Sequence, residues 1–525
     1  MKLRIAYFTD TYYPEINGVA NTLSRLHGYL DKNQIEHIFF APEYSEETAE
    51  DYILRFKGIQ VPFSPNSRLA LSLPFHTMIK KKVLEFKPDI IHVVTEFTIG
   101  NEGLRIARET GIPLVTSFHT NIDQYLQYFH AKLLEKPVKA YFKNFHSQAL
   151  LTLCPSRQTY HQLKEQGYTH LDIWSRGVDT ELYTPKKREG RWRKQFGEDK
   201  FICLYVGRLS FEKGLDIYLD AIRKWNHTGG EKNTVFLFAG DGPYREYLEN
   251  SGMENVKLTG FVRGEMLAQL YADSDLFVFP SGTETFGNVL LEAMASGSPC
   301  ICTDSGGVTD FAVHGKNAYV VKDRDSDALY HAIRDLKENV LLRRKLSEGA
   351  LKTAKQRSWV LFGSILPDLL YHTYLKGHTW ESSFDRIEKR MYELEQHGSD
   401  NRFSYLMLGW VLHYVEDFYT LAHNPVFEGG LPSHILYERQ LEDYLKEEAI
   451  FSEKENEPAM SLTIAVRYLR ENHEKYLKKA GNFETDIHYI YEAVRAVSSC
   501  LLRAIAVNEQ ESKEAEPIKR FRLFG

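Results

Sequence analysis

Two glutamates eight positions apart stand out in the stretch PSGTETFGNVLLEAMASGSP, which covers residues 280 to 299. The pattern predicts a strand that ends at Pro280, a loop carrying Glu284, and a helix that begins near Gly287 and carries Glu292. The unpaired backbone N–H groups and the dipole at the start of such a helix suit a diphosphate. Glu292 can accept paired hydrogen bonds from a ribose diol while Glu284 faces a sugar. The plainer reading is two solvated glutamates around an ordinary helix.

Composition limits the classes of protein to consider. The chain has 525 residues, of which 43% are apolar, so two or three domains are expected. A formal net charge of −6 gives no sign of a nucleic-acid partner. The five cysteines are scattered without a CxxC pair, a usage that suits buried thiols in a reducing cytoplasm.

Membrane contact is expected to be peripheral. No run of about 18 apolar residues occurs, and the N-terminus does not fit a signal peptide. Two stretches rich in basic and aromatic residues, HTMIKKKVLEFK and FHAKLLEKPVKAYFKNFHS, are candidates to lie on an anionic membrane surface. Solvated helix faces are the alternative reading of both stretches.

The order of elements predicts an α/β architecture followed by helices. Short β-branched runs alternate with amphipathic stretches as far as Leu375, which is typical of parallel sheets. A second start near residue 200 follows a polar stretch, residues 176–197, that we interpret as an interdomain linker. Strands are predicted at Arg4–Phe8, His37–Ala41, Ile90–Val94, Leu114–Ser117, Leu151–Cys154, Phe201–Val206, Val235–Ala239, Lys257–Thr259, Leu276–Phe279 and Cys300–Thr303.

These elements predict three domains. Residues 1–180 and 181–376 form two Rossmann-like domains that face a ligand cleft at the C-terminal ends of their strands, and the last helix of the second domain crosses back. Residues 377–525 form an all-α domain, because helical periodicity replaces the strand runs after Gly377.

Five ordered motifs in the first 375 residues resemble those of the retaining GT-B glycosyltransferases of the family 4 type, a group that includes sucrose synthase-like and lipid-glycosylating enzymes. The Glu284/Glu292 pair is joined by YVGRLSFEKGLD, FAGDGPYREYLE, TDTYYPEINGV and SFHTN. By this resemblance, Arg208 and Lys213 hold the diphosphate of a nucleotide sugar, Gly18 approaches its phosphates, and His119 lies on the acceptor side.

The resemblance implies transfer of a hexose from a UDP- or GDP-sugar with retention of the anomeric configuration. No divalent metal is expected, since no DxD-type pair follows a strand in the right place. A nucleophilic role for Glu284, as in retaining hydrolases, is the alternative. The expected catalytic residues are His119, Glu284, Arg208 and Lys213, and the expected donor-binding residues are Gly18, Arg208, Lys213, Glu284, Phe286, Gly287, Asn288, Val289 and Glu292.

The acceptor is less constrained than the donor. The stretches DTYYPEINGVANTLSRL and VVTEFTIGNEGLRIARETGIPLVTSFHTN look most like enzymes that glycosylate diacylglycerol, phosphoinositol or related lipids. A membrane lipid such as diacylglycerol is therefore the expected acceptor, and a soluble or polymeric sugar is the alternative. A cytoplasmic enzyme, peripheral on the inner face of the cell membrane, would fit a lipid acceptor.

A second constellation lies in the helical region. His413 and Asp417 are four residues apart and share a helix face, His423 follows, and His434 and Glu438 repeat the four-residue spacing. Imidazoles and carboxylates that converge from neighbouring helices suit zinc.

The spacing H-x3-D-x5-H followed by H-x3-E resembles the zinc-dependent phospholipase C and single-strand nuclease family, whose first-helix histidine corresponds to His378. The region of about 150 residues is shorter than that family, and a middle segment that supplies another Asp and His is not recognisable. One or two zinc ions, or a lipid-binding remnant without activity, are therefore alternatives to a complete three-metal centre.

Three functional readings follow. A glycosyltransferase that makes a glycolipid is the leading hypothesis. The second is a phosphoesterase whose chemistry lies in the C-terminal domain, alone or as one half of a bifunctional enzyme. The third, a scaffold without catalysis, conflicts with complete motifs in both front domains.

Overall fold

The computed structural model divides the chain into two compact units, Met1–Ala354 and Lys355–Gly525. The first unit contains the predicted domain 1–180 and residues 181–354 of the predicted domain 181–376, whereas residues 355–376 of that domain belong to the second unit. The residues that the structure describes are 4–15, 17–32, 35–44, 50–60, 70–72, 75–119, 135–369, 379–399, 401–425, 427, 437, 441 and 460–521.

The first sheet has seven parallel strands in the order β3-β2-β1-β6-β7-β8-β9, and β4 pairs with β5 as a separate antiparallel ribbon. In chain order these strands are β1 (Arg4–Phe8), β2 (Glu36–Pro42), β3 (Ile53–Phe56), β4 (Gly58–Gln60), β5 (Ala70–Ser72), β6 (Ile90–Val93), β7 (Leu114–Ser117), β8 (Leu151–Cys154) and β9 (Leu171–Ile173). The helices of this half are α1 (Gly18–Lys32), α2 (His76–Phe86), α3 (Thr98–Thr110), α4 (Glu135–His146) and α5 (Arg157–Glu165).

Alternation along the central strands creates a core on each face of this sheet. Phe8 stacks on Phe40 with ring centroids 4.4 Å apart, and the preceding pair, Tyr7 and Phe39, stacks at 4.9 Å on the opposite face. Successive side chains of a strand point to opposite faces, so the two neighbouring aromatic pairs each contribute to the core on one face of the sheet.

The second sheet has six parallel strands in the order β12-β11-β10-β13-β14-β15. They are β10 (Phe201–Val206), β11 (Thr234–Ala239), β12 (Val256–Gly260), β13 (Leu276–Phe279), β14 (Cys300–Thr303) and β15 (Tyr319–Val321). The helices are α6 (Arg191–Phe196), α7 (Leu215–His227), α8 (Arg245–Glu249), α9 (Gly264–Asp273), α10 (Asn288–Ala295), α11 (Ser326–Glu338) and α12 (Val340–Leu369). Every predicted strand of both sheets is present to within one residue at either end, which confirms the α/β class.

The stretch 176–197, predicted to be a linker, is partly helical and therefore corrects that prediction. It contains a 3-10 turn at Pro185–Lys187 and the short helix α6, whose Trp192 side chain is buried. The carboxylate of Asp273 accepts hydrogen bonds from the backbone N–H groups of Gly190 and Trp192, at 2.8 and 3.0 Å. A carboxylate 81 residues from Trp192 thus starts the helix, and no local pattern could reveal it.

The C-terminal unit is helical in its described parts. Its helices are α13 (Trp380–His397), α14 (Arg402–Asp417), α15 (Leu462–Leu477) and α16 (Phe483–Phe521). The sequence predicts that the helix carrying His413 continues to Ala422, but α14 ends at Asp417 and a 3-10 turn covers Leu421–His423. The Asp486 carboxylate accepts from the Leu421 N–H at 2.8 Å, which diverts the backbone from the helical path.

Among the described residues, no helix combines the length and the apolar character that crossing a bilayer requires.

Candidate functional site

Two of the residues predicted to act on the donor are in direct contact. The Lys213 ammonium lies 2.6 Å from Glu284 Oε1, and both side chains are about four-fifths shielded from solvent. Lys213 ends a 3-10 turn after β10, and Glu284 lies in the loop between β13 and α10. The Thr283 hydroxyl donates to the Glu212 carbonyl at 2.9 Å and joins the two loops. A cation and a carboxylate 71 residues apart are therefore fixed at the C-terminal edge of one sheet.

Arg208 occupies the same loop as Lys213 but is solvent-exposed. The buried Tyr205 hydroxyl donates to the Arg208 carbonyl at 2.8 Å and fixes the backbone beneath it. Within the described residues, the guanidinium of Arg208 forms no ion pair. An anion that entered the cleft would therefore meet Arg208 without first displacing a carboxylate, whereas Lys213 is engaged with Glu284.

The start of α10 presents backbone to the cleft. Gly287 has a φ of +91°, and a Cβ atom there would lie 2.5 Å from Val308 Cγ1, so only glycine fits without strain. Phe286 is buried against Phe311, with ring centroids 5.5 Å apart, and Val289 packs on the core. Phe286 therefore offers a ligand only its peptide group, whereas the Val289 side chain is partly exposed.

The turns that follow β10 and β11 in the second sheet are also closely packed. A Cβ atom on Gly240 would lie 1.9 Å from the Gly207 carbonyl oxygen, well inside van der Waals contact. The turns that follow β10 and β11 can approach one another only because position 240 has no side chain.

Gly18 and Asn288 are brought together from the two sheets. A Cβ atom on Gly18 would lie 3.5 Å from the Asn288 side-chain nitrogen, so the first turns of α1 and α10 face each other closely. The loop that leads to Gly18 is held by Asp10, whose buried carboxylate accepts from the Ile99 N–H at 2.7 Å and from the Thr98 hydroxyl at 3.0 Å. Burial raises the pKa of Asp10, and these hydrogen bonds oppose the rise.

Glu292 is buried inside α10 and is bound by groups that the sequence did not reveal. Arg25 of α1 lies 3.3 Å from Oε1, and the Tyr271 hydroxyl lies 3.3 Å from Oε2. Burial raises the pKa of the Glu292 carboxyl, and the positive charge of Arg25 opposes the rise. Lone arginines and tyrosines in polar stretches carry no spacing signal, which is why Arg25 and Tyr271 escaped the sequence analysis.

His119 follows β7 and is paired with another residue that the sequence analysis missed. Its Nδ1 lies 2.8 Å from Arg176 Nη2, and its ring lies 6.1 Å from the Trp174 ring. The same guanidinium reaches the Gly18 carbonyl at 3.5 Å through Nη1. Burial lowers the pKa of His119 well below its ordinary value, and Arg176 lowers it further.

In the C-terminal unit, three predicted metal ligands converge. His413 Nε2 lies 3.1 Å from Asp417 Oδ2, and His423 Nε2 lies 3.4 Å from Asp417 Oδ1. His378, His434 and Glu438 lie outside the described residues. Within the part of the chain that is described, no three His, Cys, Asp or Glu side chains are arranged to hold a metal ion.

Three family models match the chain. Residues 16–182 match Glycosyltransferase Family 4, residues 186–353 match Glycosyl transferases group 1, and residues 328–483 match Zinc dependent phospholipase C. Among solved structures, sucrose-phosphate synthase from Thermosynechococcus elongatus superposes with a TM-score of 0.56 at 18% identity, over 68% of this chain and 96% of that one. Anabaena HepE in complex with UDP and glucose superposes with a TM-score of 0.54 at 21% identity, over 68% and 95%.

Curated relatives cover the same region. A GDP-mannose-dependent alpha-mannosyltransferase of Corynebacterium glutamicum is 31% identical, over 61% of this chain and 76% of that protein. Sulfoquinovosyl transferase SQD2 of Arabidopsis thaliana is 31% identical, over 68% and 71%. Alpha-monoglucosyldiacylglycerol synthase of Streptococcus pneumoniae is 27% identical, over 74% and 85%.

The two parallel sheets and the solved structures that superpose on them define the fold as GT-B, followed by a helical C-terminal region. The chain belongs to the group 1 glycosyltransferases, with an N-terminal half of the family 4 type, and it is a hexosyltransferase.

Proposed function

We propose that the protein transfers a hexose, with retention of configuration, from a nucleoside-diphosphate sugar to a membrane lipid such as diacylglycerol. The contact between Lys213 and Glu284, at 2.6 Å beside the exposed Arg208, is the observation that carries the proposal. It supports a scheme in which a cation for the diphosphate lies next to a carboxylate for the sugar. No cofactor is required in this scheme.

Each residue of the candidate donor site has a separate role in this proposal, set by the chemistry of its side chain. Arg208 forks two phosphate oxygens, Lys213 adds a point charge, and the N–H groups at the start of α10 complete the cradle for the leaving diphosphate. Glu292 accepts from the ribose hydroxyls and Glu284 from hydroxyls of the hexose. The acceptor alcohol attacks the anomeric carbon from the face that the diphosphate leaves, and the alcohol proton passes to the departing phosphate oxygen.

A lipid acceptor is supported by two independent observations. Curated relatives include a monoglucosyldiacylglycerol synthase and a sulfoquinovosyl transferase. In this chain, helix α2 and its N-cap residue expose Phe75, Met78 and Leu84 to solvent at 71%, 41% and 52%, beside the solvent-facing Lys81 and Lys82. Apolar side chains flanked by lysines suit the headgroup layer of an anionic membrane, so we assign α2 as the membrane-facing surface of a peripheral enzyme.

Label transfer tests the proposal. Purified protein is incubated with UDP-glucose, UDP-galactose or GDP-mannose, each labelled in the sugar, and with vesicles of diacylglycerol and anionic phospholipid. One donor is expected to give a labelled glycolipid whose anomeric configuration, determined by NMR, matches that of the donor. Inverted product would contradict retention, and label that enters only soluble or polymeric sugars would contradict the lipid acceptor.

We infer a second candidate function, zinc-dependent phosphoester hydrolysis, from the convergence of His413, Asp417 and His423. The imidazole-to-carboxylate distances are 3.1 and 3.4 Å, which are ion-pair contacts to one shared carboxylate, and among the described residues these three side chains do not by themselves form a metal site. His413, Asp417 and His423 would hold the ion, with His378, His434 and Glu438 as the remaining proposed ligands. Zinc would supply a Lewis acid for a phosphate oxygen or a bound water.

Metal content tests the second candidate. Protein purified without chelators is expected to carry zinc by elemental analysis, and His413→Ala and Asp417→Asn are expected to lose it. His397→Ala, which changes an exposed histidine at the end of α13, serves as the matched control and should retain the metal. Equal zinc in all four proteins, or none in the wild type, would contradict the site, and zinc without hydrolysis of phosphatidylcholine would favour the lipid-binding remnant.

A further inference from the structure

We infer that Arg176 is a positioning residue for transfer: its guanidinium fixes His119 as a neutral imidazole that presents its Nε2–H to a bound substrate. The inference rests on the proposed function, because it concerns what His119 does in the same cleft. No motif in the sequence analysis pointed to Arg176.

The hydrogen bond between the two side chains decides where the proton of His119 lies. Arg176 Nη2 and His119 Nδ1 are 2.8 Å apart. A guanidinium has donors only and does not deprotonate in proteins, so Nδ1 must be the acceptor. A neutral imidazole whose Nδ1 accepts carries its proton on Nε2. An imidazolium would place an N–H against an N–H, which is repulsive.

The Nε2 atom of His119 then needs an acceptor that the described residues do not provide. It is shielded from solvent and has no hydrogen-bond partner in the described part of the chain. An unsatisfied buried donor is destabilising. A hydroxyl or ring oxygen of a bound sugar would supply the missing acceptor.

The surroundings of His119 keep the ring neutral. The charged and titratable groups that face it are Arg176 after β9, His92 on β6 and His146 at the end of α4. Burial is the largest cause that lowers the pKa of His119, and the positive charge of Arg176 is the next largest. His92 is itself neutral, because burial lowers its pKa to about 4. His119 therefore donates at neutral pH and has no lone pair available at Nε2 to act as a general base.

The Arg176 guanidinium also connects His119 to the region where the start of α1 faces the start of α10. Arg176 Nη1 is 3.5 Å from the Gly18 carbonyl, and a Cβ atom on Gly18 would lie 3.5 Å from the Asn288 side chain. A movement of Arg176 would thus shift the imidazole relative to the start of α1. In this proposal Arg176 acts on transfer through His119.

The protonation state is tested without any substrate. Full-length protein labelled with ¹⁵N-histidine is examined by NMR from pH 5.5 to 8, and His119→Gln identifies the signal by its loss. The wild type is expected to show a protonated Nε2 and an unprotonated Nδ1 throughout. Arg176→Gln is expected to give mixed tautomers and a higher pKa, whereas Arg108→Gln, an exposed arginine at the end of α3, should match the wild type. A proton on Nδ1, or an imidazolium, in the wild type would overturn the inference.

Steady-state kinetics distinguish a positioning role of Arg176 from direct binding of the donor by Arg176. Arg176→Gln is expected to lower kcat about 10- to 100-fold, the range for partners that orient an active group, while KM for the donor changes less than about twofold. Arg176→Lys, which keeps a charged donor, should recover most of kcat and guards against a misfolded Gln variant. A raised donor KM with unchanged kcat would overturn the inference, since Arg176 would then bind the donor itself. Absence of transfer by the wild type would refute the proposed function, but the NMR result would still decide the state of His119.

Discussion

Replacing Glu284 by Gln is expected to lower kcat for sugar transfer about 100- to 1,000-fold, the range seen when one preorganised polar group is removed from a reacting centre. The amide preserves the shape of the side chain but loses its charge. The Lys213 ammonium, 2.6 Å away, then loses the carboxylate that holds it in place. Sugar orientation and leaving-group stabilisation are therefore impaired together, and the measurement is kcat in the label-transfer assay.

The charge-matched control is Glu254→Gln, which changes an exposed glutamate in the loop before β12. That variant should retain wild-type turnover. The double variant Glu284→Gln/Lys213→Met should lose less than the product of the two single losses, because the two side chains act as one unit. A Glu284→Gln enzyme with turnover within about threefold of wild type would contradict the assignment.

Glu292→Gln is expected to weaken donor binding about 10- to 100-fold, because a hydrogen bond to a charged group contributes about 1.5–3 kcal/mol. In the structure without ligand the carboxylate is bound by Arg25 and Tyr271, each at 3.3 Å. The ribose must therefore share or replace these contacts. Isothermal titration with UDP and GDP measures the loss, and Glu338→Gln, an exposed glutamate at the end of α11, is the control.

The stability of the same variant should depend on pH with a definite sign. Burial raises the pKa of Glu292 in the folded state, so between the ordinary value of about 4.3 and the raised value the folded protein binds more protons than the unfolded chain. The free energy of unfolding contributed by Glu292 therefore falls as pH rises through that window. Glu292→Gln removes this slope, and its stability relative to wild type should increase from acidic pH toward neutrality. A relative stability that decreases would contradict the raised pKa.

The sheets were predictable because their signal is local. Strands such as Phe201–Val206 are continuous apolar runs between turn residues, which is how a strand buried on both faces reads in sequence. Helix α6 was missed for the opposite reason. Its start depends on the carboxylate of Asp273 and its stability on burying Trp192, and both contacts are tertiary.

The residues of the candidate site also fall into those that sequence motifs reveal and those that only the folded chain reveals. The resemblance supplied Glu284, Glu292, Arg208 and Lys213 from their motifs, but it did not show that Lys213 and Glu284 touch. Arg25 and Arg176 lie in α1 and after β9, on segments without a recognisable spacing, and their partners are 267 and 57 residues away. Such pairs become visible only once the chain is folded.

The close-packed turns at Gly240 and Gly287 limit how this cleft can diversify. A side chain at either position would collide with the Gly207 carbonyl or with Val308, so the floor beneath the proposed diphosphate position is made of peptide groups. Point mutations change side chains and leave peptide groups in place, so they alter the surface beneath the proposed diphosphate position very little. Efforts to make the enzyme accept a different hexose should therefore vary side chains above these turns, such as the exposed Arg208, and leave the glycines of the turns unchanged.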